Sequence, residues 1–145
     1  MKQLWRIGLV ALGLVFLVAC GGGTVVIPDP ISKVDTTEIS DTTVKSIVAE
    51  WQRTARKGLE TGAVKPETIV ETTYQSSADV KAIADYYNKV LGTGGWTYKT
   101  RTPGLQDGFF LAAYENGVTS LVIGALDLSK FSGTGTYVYV LSGDK

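Results

Sequence analysis

Hydrophobic spacing predicts a helix over residues 43–59. Apolar side chains recur at the three- and four-residue steps that place them on one helix face, at Val44, Ile47, Val48, Trp51 and Ala55. Asp41 or Thr42 is positioned to cap the first turn, and Gly62 to close the helix. The ordinary interpretation of such a stripe is a helix that packs on its own core.

A strand and a second helix follow. Residues 68–74 alternate in the way of a strand, and Ser76 and Asp79 have the spacing of a capping box. The apolar stripe of the helix then comprises Val80, Ile83, Ala84, Tyr87, Val90 and Leu91. Gly92 is predicted to end this helix in a left-handed conformation.

The C-terminal part of the chain predicts four strands, over residues 96–101, 109–115, 118–126 and 134–141. Asn116-Gly117 is a strong hairpin signal, and a two-residue loop there would pair Glu115 with Val118. Pro103-Gly104 predicts a turn before this hairpin.

Both faces of the predicted hairpin are apolar. Phe110, Ala112, Leu121 and Ile123 fall on one face, and Phe109, Leu111 and Val122 on the other. A strand pair of this kind must be covered on both sides, either by two helices or by one helix and a partner molecule. The sequence leaves these two alternatives open.

These elements predict a small α+β domain, with two helices packed on a mainly antiparallel sheet of about five strands in the order α-β-α-β-β-β-β. The length of 145 residues suits one domain. The predicted organisation is a signal segment over 1–19, a tether over 20–42 and the globular domain over 43–145.

The N-terminus has the features of an export signal. Lys2 and Arg6 precede an apolar or glycine run over residues 7–19, too short for a membrane span, which needs about 20 apolar residues. The run ends in Leu17-Val18-Ala19-Cys20. This sequence resembles the lipobox of bacterial lipoproteins, in which the cysteine is acylated and becomes the first residue after cleavage.

The resemblance implies that lipid on Cys20 anchors the chain to a membrane, facing the periplasm or the exterior. Gly21 stands where an aspartate retains many lipoproteins at the inner membrane, so the resemblance favours the outer membrane in an organism that has one. It also implies that the mature chain contains no thiol, because Cys20 is the only cysteine. An ordinary signal peptide that happens to end in cysteine is the alternative.

Residues 20–42 have a linker composition of glycine, proline, serine, threonine and aspartate. As flexible coil this tether would reach roughly 25 Å. The run Thr24-Val25-Val26-Ile27 interrupts the pattern and suggests a short strand docked on the domain edge, which would shorten the tether.

Composition disfavours several kinds of chemistry. The chain has no histidine, the commonest general base and metal ligand, and we predict no metal site, no cofactor and no enzymatic activity. Cleavage after residue 19 leaves 12 basic and 14 acidic side chains, a net charge of −2. Nucleic acid is therefore not an expected partner. The carboxylates that lie beside turns or on solvent faces show no catalytic pairing: Glu67, Glu71, Asp107, Glu115 and Asp127.

Two functional hypotheses remain open. The first is an envelope accessory domain that binds another envelope protein, or a second copy of itself, through an apolar sheet face. The second is a domain that binds glycan or a small molecule through the strand-spaced aromatic pairs Trp96 with Tyr98 and Tyr137 with Tyr139. The alternative for these rings is a place in the core, and a hydrolase is a distant third.

Overall fold

The computed structural model describes residues 25–34, 39–99 and 102–145. The predicted signal segment, the lipobox with Cys20 and the end of the predicted strand 96–101 lie outside these residues. Within them the predicted α+β class is confirmed: two helices pack on an antiparallel sheet. The sheet has seven strands rather than about five, because three short strands join the four long ones.

The helices are α1 (Thr42–Thr61) and α2 (Val80–Thr93). The strands in chain order are β1 (Lys33–Val34), β2 (Val70–Ser76), β3 (Thr97–Tyr98), β4 (Gly104–Gln106), β5 (Phe109–Asn116), β6 (Thr119–Asp127) and β7 (Thr136–Asp144). They lie in the order β1-β2-β7-β6-β5-β3, with β4 also paired to β5. The long strands β6 and β7 are therefore central and buried.

Helix boundaries differ from the predicted ones at the caps. Asp41 caps α1, because its carboxylate accepts a hydrogen bond from the backbone N–H of Val44 at 2.9 Å. Of the two predicted caps, Asp41 and Thr42, the first is therefore confirmed. The predicted capping box before α2 is wrong. Asp79 alone caps that helix, because Ser76 is the last residue of β2 and its hydroxyl bonds elsewhere. Gly92 lies within α2, which continues to Thr93.

The β5–β6 hairpin forms with a register two positions away from the predicted one. Glu115 pairs with Ser120 rather than with Val118, so that Gly117 and Val118 form the loop. Gly117 has a φ of +57°, which suits the first central position of a type II′ turn. Because the shift is an even number of residues, each side chain keeps its predicted face.

β4 and β5 form a second hairpin, in a region where the sequence predicted only a turn at Pro103-Gly104. Gly104 begins β4, which turns through Asp107-Gly108 and pairs with β5. Asp-Gly between two strands is itself a hairpin signal, so the sequence contained this information. β3 is shorter than the predicted strand 96–101 and is confined to Thr97–Tyr98 within the described residues.

One helix covers each face of the sheet. On the α2 face, Ile83, Tyr87 and Leu91 of the helix pack against every second residue of the strands, including Phe110 and Ile123. The α1 face holds the complementary set with Val44, Val48, Leu59, Val122, Leu126, Tyr139 and Leu141. Of the two alternatives left by the apolar hairpin, the structure therefore has the first, a helix on each side.

The chain before α1 also packs on the domain. Val25, Ile27 and Ile31 lie against the α2-face core, although they fall within the segment predicted to be a flexible tether. The hydroxyl of Tyr87 donates to the carbonyl oxygen of Pro28 at 3.2 Å, and that of Ser76 to Ile31 at 2.7 Å. Residues 25–34 thus form part of the folded domain, which begins before residue 43.

Candidate functional site

The first predicted aromatic pair lies on the α2 face. Trp96 is buried in the core there, and its backbone N–H donates to the backbone carbonyl of Leu91 at 3.0 Å. Tyr98 remains 38% exposed and meets Tyr114 edge-on, with ring centroids 5.6 Å apart. Only one ring of this pair is therefore accessible to a ligand.

The second pair lies on the opposite face, under α1. Tyr137 and Tyr139 are both buried, and burial raises the pKa of each phenol. Among the described residues, the hydroxyl of Tyr139 has no hydrogen-bond partner. Its ring lies over Gly124, where an added Cβ would come within 2.7 Å of it. These two rings fill the core and present no surface.

The sheet thus separates the two pairs instead of joining them. Trp96 and Tyr98 belong to the α2 side, and Tyr137 and Tyr139 to the α1 side. No open platform containing both pairs exists in the described residues.

Glu115 and Asp127 are engaged in structural contacts. Glu115 accepts from Lys145 at 2.8 Å and pairs with Lys99 at 2.5 Å, and these bonds lower its carboxyl pKa. The pKa of the Asp127 carboxyl is also lowered, first by a hydrogen bond from the Ser129 side chain and then by one from the Ser129 backbone N–H, which donates at 2.9 Å. Both groups are thus held in their charged form as acceptors.

Two further carboxylates are paired at the surface. Asp107 lies 2.8 Å from the ammonium of Lys130. Glu71 accepts from Gln52 and faces Arg56 at 4.0 Å. Exposed pairs of this kind contribute about 0–1 kcal/mol each, so they orient side chains without adding much stability.

Among the described residues, no group of three or more acidic, cysteine or histidine side chains is placed to hold a metal ion. Within the same part of the chain, neither helix has the length and apolar character required to cross a bilayer.

A shallow groove of about 580 Å³ lies at one end of the sheet. This end is built from the start of β2, the β5–β6 turn and the end of β7, with Val25 and Ile27 crossing beside them. Two valines that line the groove are exposed, Val70 at 60% and Val118 at 64%, and Val26, at 81%, lies in the chain between the lining residues Val25 and Ile27. We call these three residues the apolar rim.

Six large apolar residues are strongly exposed in the described part of the chain, and three of them form the rim. The others are Val34 on β1, Tyr98 on β3 and Leu105 on β4. Isolated apolar residues are ordinary on a surface, whereas a cluster marks a contact site. The rim is the best-defined candidate for one.

The rim was not predicted, since its members come from three distant parts of the sequence. Val26 is in the N-terminal segment, Val70 opens β2, and Val118 is in the β5–β6 turn. The run Thr24-Val25-Val26-Ile27 was the only available signal, because its apolar residues stand out within a linker composition.

No family model, no curated protein and no solved structure matches this chain.

Proposed function

We propose that this chain is a bacterial lipoprotein, anchored through lipid on Cys20, whose α+β domain serves as an accessory domain outside the cytoplasmic membrane. The observation that carries the proposal is the ordered N-terminal pattern of a basic start, an apolar run and Leu17-Val18-Ala19-Cys20. The position of the only cysteine, where the lipid would be attached, is consistent with it.

The folded domain supports an accessory role over a catalytic one. The paired carboxylates described above are engaged with lysines, an arginine or backbone N–H groups. Both faces of the sheet are occupied by the chain's own helices, so a partner protein would have to bind elsewhere on the surface.

Intact mass spectrometry of the full chain made in a bacterial host tests the anchor. We expect the mass of residues 20–145 plus acyl groups on Cys20, and recovery of the protein with the membrane fraction. Cys20→Ala should abolish both the added mass and the membrane association. Gly23→Ala, which leaves the lipobox intact, is the matched control and should keep both.

An unmodified thiol on a chain that retains residues 1–19 would refute the proposal. Cleavage after Ala19 without acylation would instead assign the N-terminus to an ordinary signal peptide.

A further inference from the structure

We propose that the apolar rim is the surface through which the domain contacts the lipid bilayer that holds Cys20. This inference rests on the lipid anchor proposed above and adds an orientation to it. The occupant is the acyl and headgroup region of the membrane itself.

Chain length places the rim near the anchor. Only four residues, 21–24, separate Cys20 from Val25, which lines the groove. A fully extended chain covers at most about 3.6 Å per residue, so the α-carbons of Cys20 and Val25 can be no more than roughly 18 Å apart. The nine residues of β7 span about 30 Å, so the far end of the sheet lies well beyond that limit.

Because residues 25–34 pack on the domain, the short distance from Cys20 to Val25 also limits how far the rim can lie from the anchor. A tether that ran freely to residue 42 would allow the domain to stand off the membrane and turn in any direction. Val25, Ile27 and Ile31 instead fix the segment along the α2 face, with Val25 at the rim end. The bonds from Tyr87 to Pro28 and from Ser76 to Ile31 hold it there.

The chemistry of the rim suits lipid without requiring anionic headgroups. Lys145 and Lys99 both engage Glu115, and the hydroxyl of Thr119 donates to Asp144 at 2.7 Å. These charged groups beside the rim largely neutralise one another. Three valines are too few to hold a protein at a membrane alone, but an anchor makes their contact intramolecular and raises its effective concentration.

The experiment uses the full lipidated chain reconstituted in phosphatidylcholine vesicles. A nitroxide label is attached at Val118→Cys, and the matched control carries it at Leu105→Cys, an exposed apolar position on β4. β4 pairs with the first residues of β5, at the end of that strand opposite the rim. Acylation of Cys20 leaves the introduced cysteine as the only thiol. Val70→Cys supplies an independent second rim position.

Each label's accessibility is measured to oxygen, which concentrates in hydrocarbon, and to a water-soluble nickel chelate. We expect the ratio of oxygen to nickel accessibility to be severalfold higher at Val118 and Val70 than at Leu105. The difference should persist at high salt, because the local charges are paired.

Equal, aqueous accessibility at all three positions, with acylated Cys20 shown by mass, would overturn this inference and leave the anchor intact. Unmodified Cys20 would overturn both. Protection of the rim labels together with spin–spin broadening between copies would assign the rim to a dimer and overturn the membrane contact.

Discussion

The two faces of the sheet are closed in different ways. On the α1 face, the helix is supplemented by Val64 from the connection that follows it and by Leu128 and Phe131 from the connection between β6 and β7. On the α2 face, the shorter helix is supplemented by Val25, Ile27 and Ile31 from the N-terminal segment. A helix is about 10 Å wide, whereas the strands β1-β2-β7-β6-β5-β3 side by side span roughly 24 Å, so one helix cannot cover either face alone.

The difference teaches that the segment next to the predicted anchor also completes the core. The α1 face is closed by residues local to its helix and strands. The α2 face depends on a segment that comes before both helices in the chain. Any disturbance of residues 25–31 should therefore affect the α2 face first.

The largest expected effect comes from matched leucines, one in each helix. Leu59 in α1 and Leu91 in α2 are both buried. Leu59→Ala and Leu91→Ala should each lower the free energy of unfolding by about 2–5 kcal/mol through lost burial and cavity formation. Denaturant unfolding measures this directly.

Trp51 reports the α1 face and Trp96 the α2 face. The chain also contains Trp5, so Trp5→Phe combined with Trp96→Phe or with Trp51→Phe gives single-tryptophan versions that follow the faces separately. Coincident transitions are expected, since both helices share the same strands. An early, separate loss of the Trp96 signal in Leu91→Ala would show that the α2 face unfolds independently.

The close contact between Gly124 and Tyr139 is specific to the α1 face. Gly124→Ala would place a methyl group 2.7 Å from a ring carbon of Tyr139 and 3.2 Å from Trp51. We expect a loss of about 1–3 kcal/mol in the free energy of unfolding from overpacking. Tyr139→Leu should remove much of this penalty in the double variant, and strictly additive losses would contradict the proposed contact.

The same tyrosine-to-phenylalanine change should have opposite signs on the two faces. Tyr87→Phe removes the bond to Pro28 and should cost about 0.5–1.5 kcal/mol of unfolding free energy. Tyr139→Phe removes a buried hydroxyl that has no partner in the described part of the chain, and should be neutral or stabilising by about 1 kcal/mol. Thermal or urea unfolding gives both values, and equal losses would indicate a partner for the Tyr139 hydroxyl.

The smallest effects are expected at two helix glycines, Gly58 in α1 and Gly92 in α2. An added Cβ meets nothing within 4 Å at either position. Gly58→Ala and Gly92→Ala should each stabilise the protein by up to about 1 kcal/mol through helix propensity. A destabilised Gly92→Ala would argue that Gly92 has the left-handed conformation predicted from the sequence and not the helical one.

Local patterns predicted the elements better than their boundaries. The stripes through Val44 and Ile83 specified both helices, because a period near 3.6 follows directly from helix geometry. The predicted hairpin register was wrong because Gly117 can take either the second or the first place in a two-residue loop. The prediction had Asn116 and Gly117 in the loop, and the structure has Gly117 and Val118 there. Side-chain alternation fixes which face a residue occupies and tolerates a shift of two positions.

The aromatic pairs show where sequence reasoning ended. Spacing placed Tyr137 and Tyr139 on one strand face, and they do share one. Whether that face was open depended on where α1 packs. No local pattern states which side of a sheet a helix will cover.

The sequence by itself determined the α+β class, the position of both helices and the two apolar faces of the β5–β6 hairpin, since each follows from backbone periodicity. Tertiary structure alone decided that the helices lie on opposite faces, that residues 25–31 complete one of them, and that Val70 and Val118 line one groove. The physical reason is that burial depends on which distant segments come together, and that is set by long-range packing over the whole sheet.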